Sequence, residues 1–473
     1  MPGDNSNRTE PTESAYRKMA YAIPILTVLV ARILLPRMIL DDGYITLQMA
    51  KNLSRGHGLV FNAGERIYAI TTPVWGFLTS IPALLGADIV SGQAALGIIF
   101  ELALVIIIVR LGEEILDSPM AGMLAATLLA ANPVFLPTSM GGMEIALSVF
   151  AIGLSFLLFS RKKHLFALIV ASFAVWIRTD NLILLGALSL WIILDSNRRF
   201  RIRDFVPAGL VLAAYFAFGM LYYGTPIPVS ILRKAIVPTP DKSGLLSAGK
   251  IALEFINVAA GRAKYYLTQH THYWALIPLA VLGFYFLNKI ERRKMAPMLL
   301  FSGLYAAAFI VTGKGYAALF LCYFIPPLLV IYLLAGAGLV WFFRSMAPRR
   351  KLYLCASLAL LWAAGSLTAD YFSFRNYRKV IFDGRERVYA SAAVWLGARL
   401  PENSTICAGE IGALGFFSRP DIVILDRVGL TRPLEDRRLP VNLVRDERVE
   451  AIIYWLKSNQ TVEDMMKVYP NYE

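Results

Sequence analysis

Long apolar runs recur along most of the chain, and no other feature limits its fold so tightly. They lie near residues 19–38, 89–109, 119–137, 145–160, 165–179, 181–195, 204–223, 271–288, 296–312, 319–343 and 352–372. A bilayer interior offers no water to main-chain N–H and C=O groups, so a chain crosses it as a helix that pairs its own. The pattern predicts a polytopic α-helical membrane protein of about eleven spans, some short for a hydrocarbon core of about 30 Å. Composition agrees. The chain is 57% hydrophobic and 17% charged, against about 25% charged for soluble proteins. A disordered chain, a collagen, a secreted disulfide scaffold and an ordinary cytosolic enzyme are all excluded. Cys322 and Cys355 fall in apolar runs and Cys407 in the polar tail. They read as small buried hydrophobes, with no disulfide framework.

Charge sets the expected topology. The 47 Lys and Arg against 33 Asp and Glu leave +14. In a soluble protein that excess points to nucleic acid. Here no nucleic-acid partner is needed, because cytoplasmic loops of membrane proteins collect Lys and Arg. The clusters are Arg17-Lys18, Arg110, Arg161 to Lys163, Arg198 to Arg203, Lys289 to Lys294 and Arg344 to Lys351. Alternating the spans from a cytoplasmic tail, residues 1–18, places every cluster inside. The run 19–38 is longer than a signal-peptide core and ends at Pro36-Arg37 without a cleavage site, so it reads as a retained helix. The run 73–86 is also apolar, but a full span there would flip every later cluster outside. It reads as a surface or re-entrant helix, opened by Pro73 and closed by Gly86.

The membrane module then covers 19–372, with external loops at 39–88 and 224–270. Residues 373–473 form a small extracytoplasmic α/β domain, because charge becomes dense and apolar runs shorten. Its expected elements are a helix at 387–400, strands at Ser404–Ala408 and Asp421–Leu425 around a helical piece Ile411–Phe417, and a surface helix at 445–457. Neither half of the membrane region repeats the other, which weakly disfavours a transporter.

The first external loop opens Asp41-Asp42-Gly43-Tyr44. Two adjacent carboxylates at a membrane boundary are costly. A plain structural use exists: Asp42 caps a helix over 43–54. It accounts for only one of the two. A carboxylate pair also binds a divalent cation through hard oxygens, or one of the pair takes a proton from a hydroxyl. Lys51, Arg55 and Arg66 lie outside, against the charge trend. They suit an anionic lipid headgroup, or equally an interfacial helix face resting on phospholipid heads. The second external segment leaves the membrane through Tyr222 to Pro228 and carries Arg233, Lys234, Lys242 and Lys250. Such cations hold phosphate, although a lysine snorkelling to the interface looks the same in a sequence.

Glu144, Arg178, Asp180 and Lys314 fall at outer ends of spans, at the depth of Asp41. Convergence of this kind suits an active site on the external face. The plain alternatives are a local Arg178–Asp180 ion pair and a helix-dipole contact for Glu144. No nucleotide loop, HExxH or Cys/His metal spacing occurs. His270 and His272 read as interfacial anchors. A transferase of this layout takes its donor as a lipid delivered within the membrane.

The ordered set of motifs resembles a known family. Asp41-Asp42-Gly43-Tyr44, Asn52-Leu53, Gly56 to Asn62, Gly64-Glu65-Arg66, Thr71, Pro73 and Trp75 resemble the first external loop of GT-C glycosyltransferases, nearest to the terminal β-(1→2) arabinofuranosyltransferase group. Gly142-Met143-Glu144, Tyr222 to Lys234, Gly409 to Gly415 and Asp426 to Leu430 extend the likeness along nearly the whole chain. Three positions depart. Gly43 replaces the usual Ala, Arg178-Thr179-Asp180 replaces Arg-Pro-Glu, and Tyr68 to Pro73 lacks a carboxylate of Glu-Gly-Tyr-Thr-Asn-Pro.

The resemblance implies an inverting glycosyltransferase in the bacterial or archaeal inner membrane, with its site and C-terminal domain on the extracytoplasmic face. It implies a polyprenyl-phosphate sugar donor, arabinofuranose among the candidate sugars, and a glycan, lipid or protein acceptor. Asp41 is the expected base, with Asp42 orienting the site. Asp42 and Glu144 are the expected ligands of a divalent ion (Mg, Mn or Ca), and no nucleotide cofactor is expected. Lys234, Arg178, Arg55 and Arg66 are assigned to the donor phosphate. His57, Glu144, Tyr44 and Trp75 are assigned to sugar or acceptor. The competing expectations are a flippase of lipid-linked sugars and a non-catalytic subunit of an envelope complex.

Overall fold

The computed structural model describes residues 11–35, 38–194, 202–236, 257, 275–311, 323, 325–377, 385–433 and 449–453. Each apolar run carries helix. The helices are Pro11–Leu34, Ile89–Leu116, Pro119–Ala130, Ile145–Ser160, His164–Ile177, Leu182–Leu194, Val206–Phe218, Leu276–Phe286, Lys289–Val311, Ile325–Phe342 and Pro348–Tyr377. Local chemistry sets their ends. Asp88 accepts the Ser91 N–H, and Ser118 accepts the Ala121 N–H ahead of Pro119, so free first-turn donors are satisfied.

Four helices among the described residues are long and apolar enough to cross a membrane: Ile89–Leu116, Val206–Tyr223, Ile325–Phe342 and Pro348–Phe372. Length and composition thus support a helical membrane protein but do not establish eleven spans. The run 119–137 shows why. It breaks after Ala130, where the Asn132 Oδ1 accepts the N–H groups of Val134 and Phe135, and helix restarts at Phe135–Met140. Large apolar side chains point outward, with Ile33 82% and Leu221 86% exposed. Such faces suit lipid rather than water. Inside, the Arg32 Nη2 lies 2.6 Å from the Glu101 Oε1, and Ser139 donates to the same carboxylate, so this buried charge is paired.

The run at 73–86 forms the helix Pro73–Leu84, with Pro73 in its first turn and Gly86 at φ +79° beyond its end. Among the described residues the tail holds a three-stranded parallel sheet, ordered β2-β1-β3. Its strands are β1 (Thr405–Ala408), β2 (Val423–Asp426) and β3 (Ala451–Ile453). Parallel neighbours need a crossover, and the helix Gly412–Phe417 supplies the one from β1 to β2. The helix Arg387–Gly397 precedes β1.

The surface helix expected at 445–457 is replaced, where described, by β3. The free edge of β1 decides this. Ala451 to Ile453 pair with Ile406 to Ala408, and the Glu450 N–H donates to the Thr405 carbonyl. Main-chain groups on that edge would otherwise be left unpaired. Cys355 and Cys407 are free and buried.

Candidate active site

The carboxylate pair sits at the start of the loop helix Asp41–Ser54. The expected cap at Asp42 is not formed. Leu40 is the N-cap, without a side-chain bond, and both aspartates lie in the first turn. There they face a helix end that favours negative charge. Asp42 is exposed, whereas Asp41 is only 6% exposed. Asp41 instead caps a different helix. Its Oδ2 accepts the Gly412 N–H at 3.1 Å and its Oδ1 accepts the Ala413 N–H at 3.0 Å. Both donors open the tail helix Gly412–Phe417. Gly43 is also explained. The Leu40 N–H donates to the Gly141 carbonyl at 3.0 Å, and a Cβ on residue 43 would overlap that same carbonyl oxygen.

The loop helix and the tail domain share a continuous seam. The Lys51 Nζ donates to the Phe416 carbonyl at 2.6 Å and lies 4.9 Å from the Phe416 ring centre. Burial, helped by Arg55, pushes the Lys51 ammonium down to about 8. Tyr44 is buried against the rings of Phe416 and Phe417, with centroids 5.4 and 5.5 Å away. Asn62 acts as a surrogate strand partner for β2. Its Nδ2 donates to the Ile424 carbonyl at 3.0 Å and its Oδ1 accepts the Ile424 N–H at 3.1 Å.

Glu410 joins the aspartates. Burial pushes its carboxyl up to about 7, the nearby Arg385 opposes the rise, and the charges of Asp41 and Asp42 add to it. Arg385 Nη1 donates to Glu410 at 3.2 Å and Nη2 to Glu386 at 2.5 Å. The centre of this site is therefore four carboxylates, Asp41, Asp42, Glu386 and Glu410, around one guanidinium. Sequence reasoning gave neither Glu410 nor Arg385 a role. Glu410 lies within the family-like stretch Gly409 to Gly415, whereas nothing in the sequence marked Arg385.

A second charged cluster forms where the helices Ile145–Ser160, His164–Ile177 and Leu182–Leu194 turn. The Arg178 Nη1 lies 2.5 Å from the Glu144 Oε1, and its Nη2 lies 2.9 Å from the Asp180 Oδ2. The Tyr305 hydroxyl donates to Asp180 at 2.8 Å, and the Tyr323 ring centre is 5.1 Å from the guanidinium. Glu144 and Arg178 are buried. Two carboxylates against one guanidinium more than neutralise Arg178. Trp75 is 1% exposed, and its indole N–H donates to the Gly142 carbonyl at 2.9 Å, beside a 2.8 Å bond from Gln93. Both hold the turn that presents Glu144.

Arg55, His57 and Arg66 are exposed on the first loop. Gly58, at φ +92°, lies where a Cβ would overlap the Tyr222 hydroxyl. That hydroxyl accepts the Leu59 N–H at 3.0 Å, and Tyr223 donates to the Leu59 carbonyl at 2.6 Å. The Arg66 guanidinium lies 5.4 Å from the Tyr222 ring centre. These contacts bind the first loop to the segment that opens at Tyr222. Lys234 follows on the helix Val229–Ile236; its side chain lies outside the described residues, as do Lys242, Lys250, His270, His272 and Lys314. Among the described residues no group of three or more His, Cys, Asp or Glu is placed to hold a metal ion. Of the two expected ligands of a divalent ion, Glu144 is paired with Arg178 and Asp42 lies on the exposed face of the loop helix.

Comparison with known proteins follows this geometry. A family model described as a domain of unknown function (DUF8728) matches residues 375–472. A terminal β-(1→2)-arabinofuranosyltransferase of Mycobacterium tuberculosis is 30% identical over 220 residues, covering 42% of this chain and 35% of that protein. The match thus spans about a third of the relative's length. The crystal structure of ArnT from Cupriavidus metallidurans bound to undecaprenyl phosphate aligns over 98% of this chain and 96% of its own, with TM-score 0.60 and 10% identity. At this identity the likeness is one of fold. The Archaeoglobus fulgidus oligosaccharyltransferase AglB, in complex with an inhibitory peptide and a dolichol-phosphate, aligns over 88% of this chain and 65% of its own, with TM-score 0.51 and 12% identity. Within that shared fold, the seam between first loop and tail is where this chain gathers Asp41, Asp42 and Glu410.

Proposed function

We propose that the chain is an inverting glycosyltransferase of the cell membrane, moving a sugar from a polyprenyl phosphate to a glycan, lipid or protein acceptor on the extracytoplasmic face. Arabinofuranose is the sugar we assign, from the relative that shares 30% identity. One observation supports the reading: the Asp41–Asp42 pair stands at the seam of the first loop and the tail domain, with Asp42 exposed. The acceptor hydroxyl attacks the sugar carbon on the face opposite the phosphate. The sugar–phosphate bond breaks with its electron pair on the lipid phosphate, and the hydroxyl proton passes to a carboxylate. That base is Asp41. A carboxylate offers about four lone-pair sites; two main-chain amides and Glu410 bond to it, and a further site is left for the proton. Asp42 orients the acceptor, and His57 lies on the open face of the same loop.

Cleavage builds negative charge on the lipid phosphate beside a bilayer that cannot solvate it. Lys234, Arg55 and Arg66 lie on the two external segments that Tyr222 and Leu59 tie together, and they are assigned to this charge. Arg178 is the weaker candidate, because Glu144 and Asp180 already match it. A fixed cation there stabilises the transition state more than the ground state, by about 2–4 kcal/mol. The test is transfer from a synthetic short-chain polyprenyl-phosphate sugar by purified Lys234→Met, which keeps the apolar stem and deletes the charge. Turnover should fall with the folded state intact. Wild-type turnover in Lys234→Met, Arg55→Met and Arg66→Met alike would remove the phosphate from this region.

A further inference from the structure

We infer that the C-terminal domain is a working part of the catalytic centre, its main-chain amides at Gly412 and Ala413 acting as the positioning groups for the Asp41 carboxylate. The inference rests on the reading of Asp41 as base and deepens it. Two donors, at 3.1 and 3.0 Å, fix both oxygens of one side chain, so the carboxylate can neither rotate nor withdraw without breaking a bond. Both donors come from the tail, 371 and 372 residues away in sequence. The approach is close enough to demand glycine. A Cβ on residue 412 would overlap the Asp41 carbonyl oxygen and lie 3.0 Å from its carboxyl carbon.

The clamp is anchored well away from Asp41. At the far end of the tail helix, Lys51 grips the Phe416 carbonyl. Gly415 lies under the Phe61 ring, where a Cβ would come within 2.6 Å. Asn62 pairs with both main-chain groups of Ile424. One helix of the first loop is therefore read along its length by the tail, and the position of the tail fixes that of the base. A catalytic group displaced by about 1 Å can lose about a hundredfold in rate.

Gly412→Ala is the direct test, in the full-length protein in detergent. It should lower kcat on the order of a hundredfold, leave the donor KM within about twofold, and displace the acidic limb of the pH–rate profile. A merely structural role would not move that limb. Because Gly412→Ala can fail to fold, Asn62→Ala serves as the second variant; it loosens the tail without touching Asp41 or the two amides. Faster proteolysis of its tail together with a lower kcat supports the inference. Faster proteolysis with wild-type kcat overturns it, as does a folded Gly412→Ala with wild-type kcat and pH profile. Asp41→Asn separates the two ideas. If that variant is inactive while folded Gly412→Ala is not impaired, the positioning inference alone falls. If Asp41→Asn transfers at the wild-type rate, the base assignment falls.

Discussion

Asp41→Asn is more than the removal of a base. In isolation, asparagine keeps the size of aspartate and caps helices well. Here both oxygens accept, one from Gly412 and one from Ala413. A carboxamide has one oxygen and one NH2 group. Whichever way it turns, one main-chain donor faces another donor, and the remaining bond loses its charge assistance. A hydrogen bond to a charged group contributes about 1.5–3 kcal/mol, and an unsatisfied buried donor costs about 1–3 kcal/mol. Relaxation of the seam recovers part of this, so we expect the tail to lose about 2–4 kcal/mol of docking free energy. Each 1.36 kcal/mol is a tenfold change, so the undocked population rises about 30- to 900-fold. Limited proteolysis reads this directly, because cleavage tracks the open population when opening and closing are fast. Asp41→Asn should be cut in its tail faster than wild type by that factor, and lose sugar transfer by several orders of magnitude. Asp42→Asn, whose side chain is exposed, should keep wild-type proteolysis. Equal cleavage of Asp41→Asn and wild type would refute the claim that this carboxylate holds the seam.

Two further predictions follow from charge. The Glu410 carboxyl is raised to about 7, so the folded seam holds a proton that the unfolded chain has lost. Its contribution is complete below the ordinary glutamate value and disappears as pH rises through about 7, so proteolysis of the tail should quicken from about pH 5 to about pH 8. Glu410→Gln should flatten that dependence; an unchanged pH profile would contradict the shift. For sidedness, cysteines introduced at the exposed Ser391 and Ser345 should label differently with an impermeant reagent in intact cells. Ser391→Cys should react and Ser345→Cys should not, and the reverse would put the carboxylate site on the cytoplasmic side.

Much of this protein is written locally. Helices follow the apolar runs because the membrane criterion is a local one, the hydropathy of a stretch of chain. The tail helix at Arg387–Gly397 and the strands at Thr405–Ala408 and Val423–Asp426 lie close to where periodicity predicts them. The motif Asp41-Asp42 marks the candidate site, because paired carboxylates beside a bilayer are rare without a reason. What the tertiary structure decided involves partners distant in sequence. Ala451 to Ile453 form a strand because β1 offers a free edge, which no window around residue 450 contains. Asp41 caps Gly412 rather than its own helix, across 371 residues. Gly43, a mild departure in the sequence, is required by the carbonyl of Gly141. Arg178 finds Glu144 across 34 residues and is neutralised there. Hydropathy is a property of a segment and can be read in order along the chain. A hydrogen bond or an ion pair depends on which segments meet, and only the folded chain fixes that.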